Sequence, residues 1–224
     1  MDNIKKKLKH ILPDYTTGEE LLNMISHIVG GAFGILVLVL CVIRAALNGN
    51  AAGVVGSAIY GASMILVYTT SSIYHGLRKN AGKKVFRVLD HCMIYLLIAG
   101  TYTPILLSAM IPMFPVAGWI IFGIEWGCTA LAVTLTAVDM KKFNAFSMTC
   151  YVVMGWCIIA VPKLAIKAMT PGGFGLILAG GVAYTIGAVL YGIGKKKKYI
   201  HGVFHIFVLI GSVLQFFGVY LYCI

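Results

Sequence analysis

Long apolar blocks recur along this chain, each closed by a few polar residues or by a proline. They cover residues 20–47, 52–76, 87–110, 116–138, 143–162, 172–193 and 199–222. The breaks fall at Asn48-Gly49-Asn50, Lys79 to Lys84, Pro112 and Pro115, Asp139 to Lys142, Pro171, and Lys195 to Lys198. The blocks are continuous rather than alternating, and too long for strands. At 1.5 Å per residue, about 20 residues cross a hydrocarbon core of ~30 Å. The expectation is an all-α integral membrane protein: a seven-transmembrane helix bundle over 20–224, behind a basic lead over 1–19. Within the lead, Ile4, Leu8, Ile11 and Leu12 share one helical face opposite Lys5, Lys6 and Lys9, which predicts a short interfacial helix over 4–12, ended by Pro13. A disordered lead is the alternative.

Composition leaves little room for a soluble domain. Hydrophobic residues make up 60% of the chain and charged ones 11%, against about 25% charged in ordinary globular domains. Mean hydropathy is +0.92. No internal repeat is visible. The first 20 residues carry no short apolar run before a small-residue cleavage site, so no cleavable signal peptide is expected, and the first span serves as the targeting signal. The six cysteines are scattered through apolar blocks without CxxC spacing, as buried inert thiols are.

Charge then orients the bundle. Of the 18 lysines and arginines, the lead and every second loop hold all but Arg44, Lys163 and Lys167. Basic loops face the cytoplasm, so the N-terminus is expected inside and the C-terminus outside. The net charge of +11 is then explained by topology and contact with anionic lipid rather than by nucleic-acid binding. Small residues repeat at four-residue spacing, Gly30 and Gly34 in the first span and Gly53, Ser57 and Gly61 in the second, a pattern that lets helix backbones approach closely in lipid.

Ionisable groups inside hydrocarbon are expensive, and they face a cavity or one another. With this topology His75 ends the second span, Asp90 begins the third, and His201 and His205, one turn apart, begin the last, all on the cytoplasmic side. Ser71 lies one turn before His75 on the same face. Three histidines suit zinc, and three protein ligands leave a fourth position open for water, as in catalytic sites. Asp90 could hold that water, act as general base, or orient a ligand. The alternative is a set of interfacial polar residues capping helix ends.

Several of these residues carry a resemblance. Glu20-x2-Asn23-x3-His27 in the first span, Ser71-x3-His75, Leu89-Asp90-His91, Gly100-Thr101-Tyr102-Thr103-Pro104 and His201-x3-His205 together resemble the hemolysin III family along essentially the whole chain. That family is the bacterial branch of the progestin and adipoQ receptor group and a more distant relative of the alkaline ceramidases. The resemblance implies a seven-helix bundle inverted relative to G-protein-coupled receptors. It also implies zinc at the positions of His75, His201 and His205, with the Asp90 position linked to the zinc-bound water. Receptor relatives carry hormone-linked or ceramidase-type activity. Bacterial members bear a haemolysin label and have been tied to membrane fluidity or energetics.

Around this core, Glu20, Asn23 and His27 lie on one side of the first span and are expected to form a polar network supporting the site, with Ser71. His91 points about 100° away from Asp90 on a helix and is read as interfacial. Glu125, in mid-span four, is read as a structural carboxyl, with proton relay as the alternative. Pro104, after Gly100, should bend span three and free carbonyls that neighbours must satisfy. Trp119, Trp126 and Trp156 are read as packing or belt residues, and His10 has no evident partner.

The function expected is zinc-dependent hydrolysis of a lipid-like amide or ester in the inner leaflet of the cell membrane, with membrane lipids as partners. A non-enzymatic sensor of membrane state is the first alternative and a pore-forming cytolysin the second. A conducting pore needs hydrophilic lining throughout, and no span carries a polar stripe along its full length.

Overall fold

The lead hands over to the first helix at Thr16. Its hydroxyl accepts the Glu19 backbone N–H at 3.3 Å, while the Glu19 carboxylate accepts the Thr16 N–H at 2.9 Å. This reciprocal cap satisfies two donors that a helix start leaves open, and it begins helix α1 (Thr17–Leu47) three residues ahead of the expected 20. The structure, a computed structural model, describes residues 12–194 and 197–224. The interfacial helix expected over 4–12 falls outside the described residues save for Leu12, and so does His10.

Asparagine caps open the next two helices. Asn50 accepts the Gly53 N–H at 2.7 Å to start α2 (Ala51–Gly76), and Asn80 accepts the Lys83 N–H at 2.8 Å to start α3 (Ala81–Met113). Helix α3 thus begins six residues before the expected 87, and the charges at Lys83, Lys84 and Arg87 belong to its first two turns rather than to a loop. Pro115 opens α4 (Pro115–Asp139) at a position where a missing N–H costs nothing. Then follow α5 (Asn144–Gly155), α6 (Pro162–Gly194) and α7 (Ile200–Tyr222). No strand occurs among the described residues.

Six helices, α1 to α4, α6 and α7, are long and apolar enough to cross a membrane. The fifth expected span, 143–162, takes another form: the 12-residue α5 followed by a 3-10 turn, Cys157–Ala160. Two causes act there. The Tyr102 hydroxyl of α3 enters the break, donating to the Gly155 carbonyl at 3.1 Å and accepting the Ile158 N–H at 3.0 Å. Pro162 also pushes Val161, at φ −131° and ψ 48°, out of helical geometry. Where a bend is expected at Pro104, the backbone turns π-helical over Ile105–Met110, beyond the α-helical part of α3. The break expected at Pro171 is real in the backbone: Thr170, at φ 63° and ψ 165°, interrupts α6.

Large apolar side chains such as Ile28, Val55, Ile120, Val189 and Ile210 stand exposed, while Asn23, Ser57, Thr103 and Glu125 are buried. A bundle dissolved in lipid has this distribution, since polar groups there must find partners inside. Trp126 and Trp156 donate across to Thr103 and Thr185 on neighbouring helices, whereas Trp119 is exposed. The six cysteines are all unpaired.

Helix α1 lies along α2, α2 against α3, α6 along α7, and α1 closes on α7. The small residues sit where α1 and α2 come closest. A Cβ on Gly61 would fall 2.6 Å from the Leu38 Cα, and one on Gly30 2.4 Å from the Tyr68 ring. Gly61→Val is therefore expected to lower the thermal unfolding midpoint in detergent by about 5 °C or more, as overpacking does. Gly123→Ala, at a position with nothing within 4 Å of the added atom, should leave it unchanged.

Candidate metal centre

The ends of three helices meet at one level of the bundle. Helix α1, fixed at Thr16, presents Glu20, Asn23 and His27 on one side of its first three turns. The end of α2 supplies His75, and the start of α7 supplies His201 and His205. The turn into α7 is tied to α1: Tyr199 adopts a left-handed backbone (φ 62°) and its N–H donates to the Glu19 carboxylate at 2.8 Å. The cap that starts α1 thereby also sets where α7 begins.

His75, His201 and His205 are 2%, 8% and 1% exposed. One ring nitrogen from each lies within 4.8 Å of the other two, and Nε2 of His201 is 3.0 Å from Nε2 of His205. Zinc–nitrogen bonds of about 2.0–2.1 Å in a tetrahedron place ligand nitrogens roughly 3.3 Å apart, so the cluster brackets that spacing. The His75 Nε2 is buried with no hydrogen-bond partner among the described residues. A buried polar atom without a partner is costly, and an incoming cation would remove that cost. The donor set therefore fits a metal ion.

The other nitrogen of His75 is firmly held. Its Nδ1 lies 2.7 Å from the Glu20 carboxylate, and the second Glu20 oxygen accepts from the Lys83 ammonium at 2.6 Å. Lys83 is itself 2% exposed and donates to the Leu77 carbonyl at 2.9 Å. A carboxylate acceptor at Nδ1 assigns the proton there and leaves the Nε2 lone pair facing the cluster, the arrangement that orients metal-bound histidines generally. Asn23 reaches the same Nδ1 at 3.4 Å, a weaker contact.

His27 lies against His205, ring centres 3.8 Å apart and tilted by 30°, and meets the Tyr68 ring edge-on at 5.1 Å; neither of its nitrogens has a partner among the described residues. Tyr15, in the segment before α1, stacks on His201 at 4.9 Å. Burial pushes the Tyr15 phenol well above its ordinary value, so it stays neutral. Ser71, His27, His201 and His205 line a cavity of about 160 Å³. Asp90 lines the same cavity but is not among the three clustered ligands. Its carboxylate is 3.9 Å from His91, whose ring bonds instead to the Arg87 carbonyl at 2.9 Å and to the Tyr191 hydroxyl at 3.3 Å. Glu125 stands apart on α4, fully buried, with the Cys157 thiol as its polar neighbour.

The cavity runs deep. Along α7 its lining extends from His201 to Gln215, about 21 Å at 1.5 Å per residue. Charged side chains and histidines gather at the end near Tyr15, while Ile94, Leu97, Ile98, Ile177 and Val208 share the rest with Thr101, Tyr184, Thr185 and Gln215.

Sequence reasoning missed Lys83 and Tyr15. Asn80 three residues before Lys83 was a usable cap signal that puts the lysine inside α3. Tyr15 directly precedes the Thr16-x2-Glu19 cap, where an apolar residue often packs against the helix.

These features define a multi-pass helical membrane protein with a buried histidine cluster at the head of an apolar cavity. Residues 15–216 match the family described as Haemolysin-III related. The chain is 38% identical over 204 residues to Hemolysin-3 of Bacillus cereus, covering 91% of each protein. To the Hemolysin-3 homolog of Bacillus subtilis (strain 168) it is 36% identical over 210 residues, covering 94% of this chain and 97% of that one. The chain belongs to the haemolysin-III family, as its motifs anticipated, and its place is the bacterial cell membrane.

The Lys83–Glu20 pair carries its own test. Glu20→Gln strands a buried lysine, which typically costs about 3 kcal/mol or more. The double variant Glu20→Gln, Lys83→Met should recover a good part of that loss. A thermal-unfolding mutant cycle measures the coupling; additive losses would mean that the pair is energetically idle.

Proposed function

We propose that this chain binds zinc through His75, His201 and His205 and hydrolyses an amide or ester bond of a lipid-like molecule whose chain lies in the cavity. The observation that carries the reading is the convergence of three buried imidazoles, two of which line an apolar cavity that follows α7 for about 21 Å. The chemistry a zinc ion supplies there is Lewis-acid polarisation of a carbonyl and activation of water near neutral pH. The protein's own groups do the rest. Glu20, braced by Lys83, holds His75 in the tautomer that ligates. Asp90, on the cavity wall, takes the proton that hydrolysis releases and returns it to the leaving group. Ser71 offers a hydroxyl one turn from His75. The apolar lining excludes bulk water from the chain.

The topology that goes with this reading has seven crossings, N-terminus cytoplasmic and C-terminus outside. The distribution of lysine and arginine supports it. So does parity: α4 ends beside Arg87 and Tyr191 at the histidine level, while α6 starts at the far end. The segment α5 plus the 3-10 turn must then run between the two levels. At about 18 Å for α5 and 8 Å for the turn, it is long enough for a thin crossing.

Burial of all three histidines also suits a second reading, in which the metal only braces α2 against α7 and the lipid reports membrane state. A pore is disfavoured, because the deep part of the cavity is lined mainly by apolar side chains.

Purified protein is expected to carry about one zinc per chain. His205→Ala should lose most of it. Full zinc retention by the double variant His201→Ala, His205→Ala would remove the site. Only neutral imidazole ligates, so protons compete with the metal and occupancy should fall on acidification.

Asp90→Asn separates binding from turnover. Metal content should stay near wild type while lipid amide or ester hydrolysis drops at least tenfold, general acid–base groups contributing about 10²–10⁴. A variant that keeps zinc and full in-cell function would favour the non-enzymatic reading.

A further inference from the structure

Away from the histidines, the polar side chains that line the apolar cavity are already committed to the protein, with one exception. The Thr101 hydroxyl donates to the Leu97 carbonyl at 2.7 Å, and the Tyr184 hydroxyl pairs with that of Ser212 at 2.7 Å. Thr185 donates to the Gly181 carbonyl at 2.8 Å and accepts the Trp156 indole N–H at 3.0 Å. Gln215 is the exception. It lines the same cavity and is 8% exposed, yet its amide makes no hydrogen bond among the described residues. Its stem packs on α6 at Gly180, where a Cβ would fall 2.4 Å from the Gln215 Cγ. An amide shielded from water and left unpaired is costly, so this side chain calls for a partner from outside the chain.

We propose that Gln215 recognises a neutral oxygen, a hydroxyl or a carbonyl, carried on the distal part of the ligand's hydrocarbon chain. The inference rests on the reading of the cavity as the seat of a lipid-like chain and adds which chain is selected. An amide offers two donors and an acceptor, which suits either oxygen. A charged group is excluded. The cavity's Arg87 and Asp90 lie at the histidine end, and an ion without a counterion deeper in the bundle is expensive.

The position of that oxygen follows from α7. Gln215 comes ten residues after His205, a rise of about 15 Å. An extended chain advances ~1.2 Å per bond, as a backbone does with three bonds per ~3.6 Å, so the oxygen belongs roughly twelve bonds from the group held at the histidines. The cavity lining on α7 ends at Gln215, which puts the oxygen near the far end of the chain. A plain hydrocarbon chain in the same place leaves the amide unpaired, so selectivity comes from the penalty on that chain as well as from the contact with the oxygenated one.

The test is equilibrium binding to the purified full chain in uncharged detergent. The probes are tetradecanoic acid and its two isomers hydroxylated at the seventh and at the twelfth carbon. The hydroxy acids share one composition, so their ratio isolates the position of the oxygen. Wild type should bind the twelfth-carbon isomer at least about fivefold tighter than the seventh-carbon one. Gln215→Leu and the closer isostere Gln215→Met should bring that ratio near one and hold tetradecanoic acid at least as well as wild type does. A ratio near one in wild type overturns the proposal without any variant, and so does a preference that survives in folded Gln215→Met. Wild type that binds none of the three acids defeats the lipid reading of the cavity and this inference with it, whereas binding of all three without positional preference defeats this inference alone. Because binding rather than turnover is read, a positional preference in protein that hydrolyses nothing leaves the inference standing while the hydrolase reading falls.

Discussion

Glu20 faces two ways, and the site depends on that. One oxygen meets the buried ammonium of Lys83 and the other meets Nδ1 of His75. At the edge of a hydrocarbon phase neither charge is tolerable alone, so α1, α2 and α3 are pinned together by a need for compensation that lipid cannot supply. The same contact fixes the face that His75 shows to His201 and His205. Structural necessity and ligand orientation are one interaction here, and removing any member disturbs both.

The capping chemistry upstream makes that contact possible. Thr16 and Glu19 set the phase of α1, which decides that Glu20, Asn23 and His27 face inward, and Glu19 also receives the Tyr199 N–H that locates α7. Close approach of α1 and α2 at Gly30 and Gly61 brings His75 within reach of Glu20. A few polar contacts at one level and a small-residue seam below it thus position a cluster built from distant parts of the chain.

The helices were legible because hydrocarbon demands long apolar runs, and the histidine cluster because ionisable residues in such runs are rare enough to stand out. The spacing of His201 and His205, with His75 at the end of its block, put three imidazoles at one depth before any contact was known. What escaped was what depends on tertiary contact. Lys83 read as a loop charge because a lysine at a membrane edge is ordinary, and only its burial against Glu20 gives it a role. The short α5 read as a full span because apolar composition does not reveal that Tyr102 takes over the hydrogen bonds of its last turn. Tyr15 stacks on His201 from outside every apolar block, and the cavity is a negative space that no local pattern encodes.

Zinc K-edge X-ray absorption on protein purified without added chelator tests the central claim most directly, since it reads the ligands rather than their consequences. The account predicts about three imidazole nitrogens at about 2.0–2.1 Å together with one further light atom. A sulfur shell at about 2.3 Å, or an absence of bound zinc in protein that is folded and active, would contradict it.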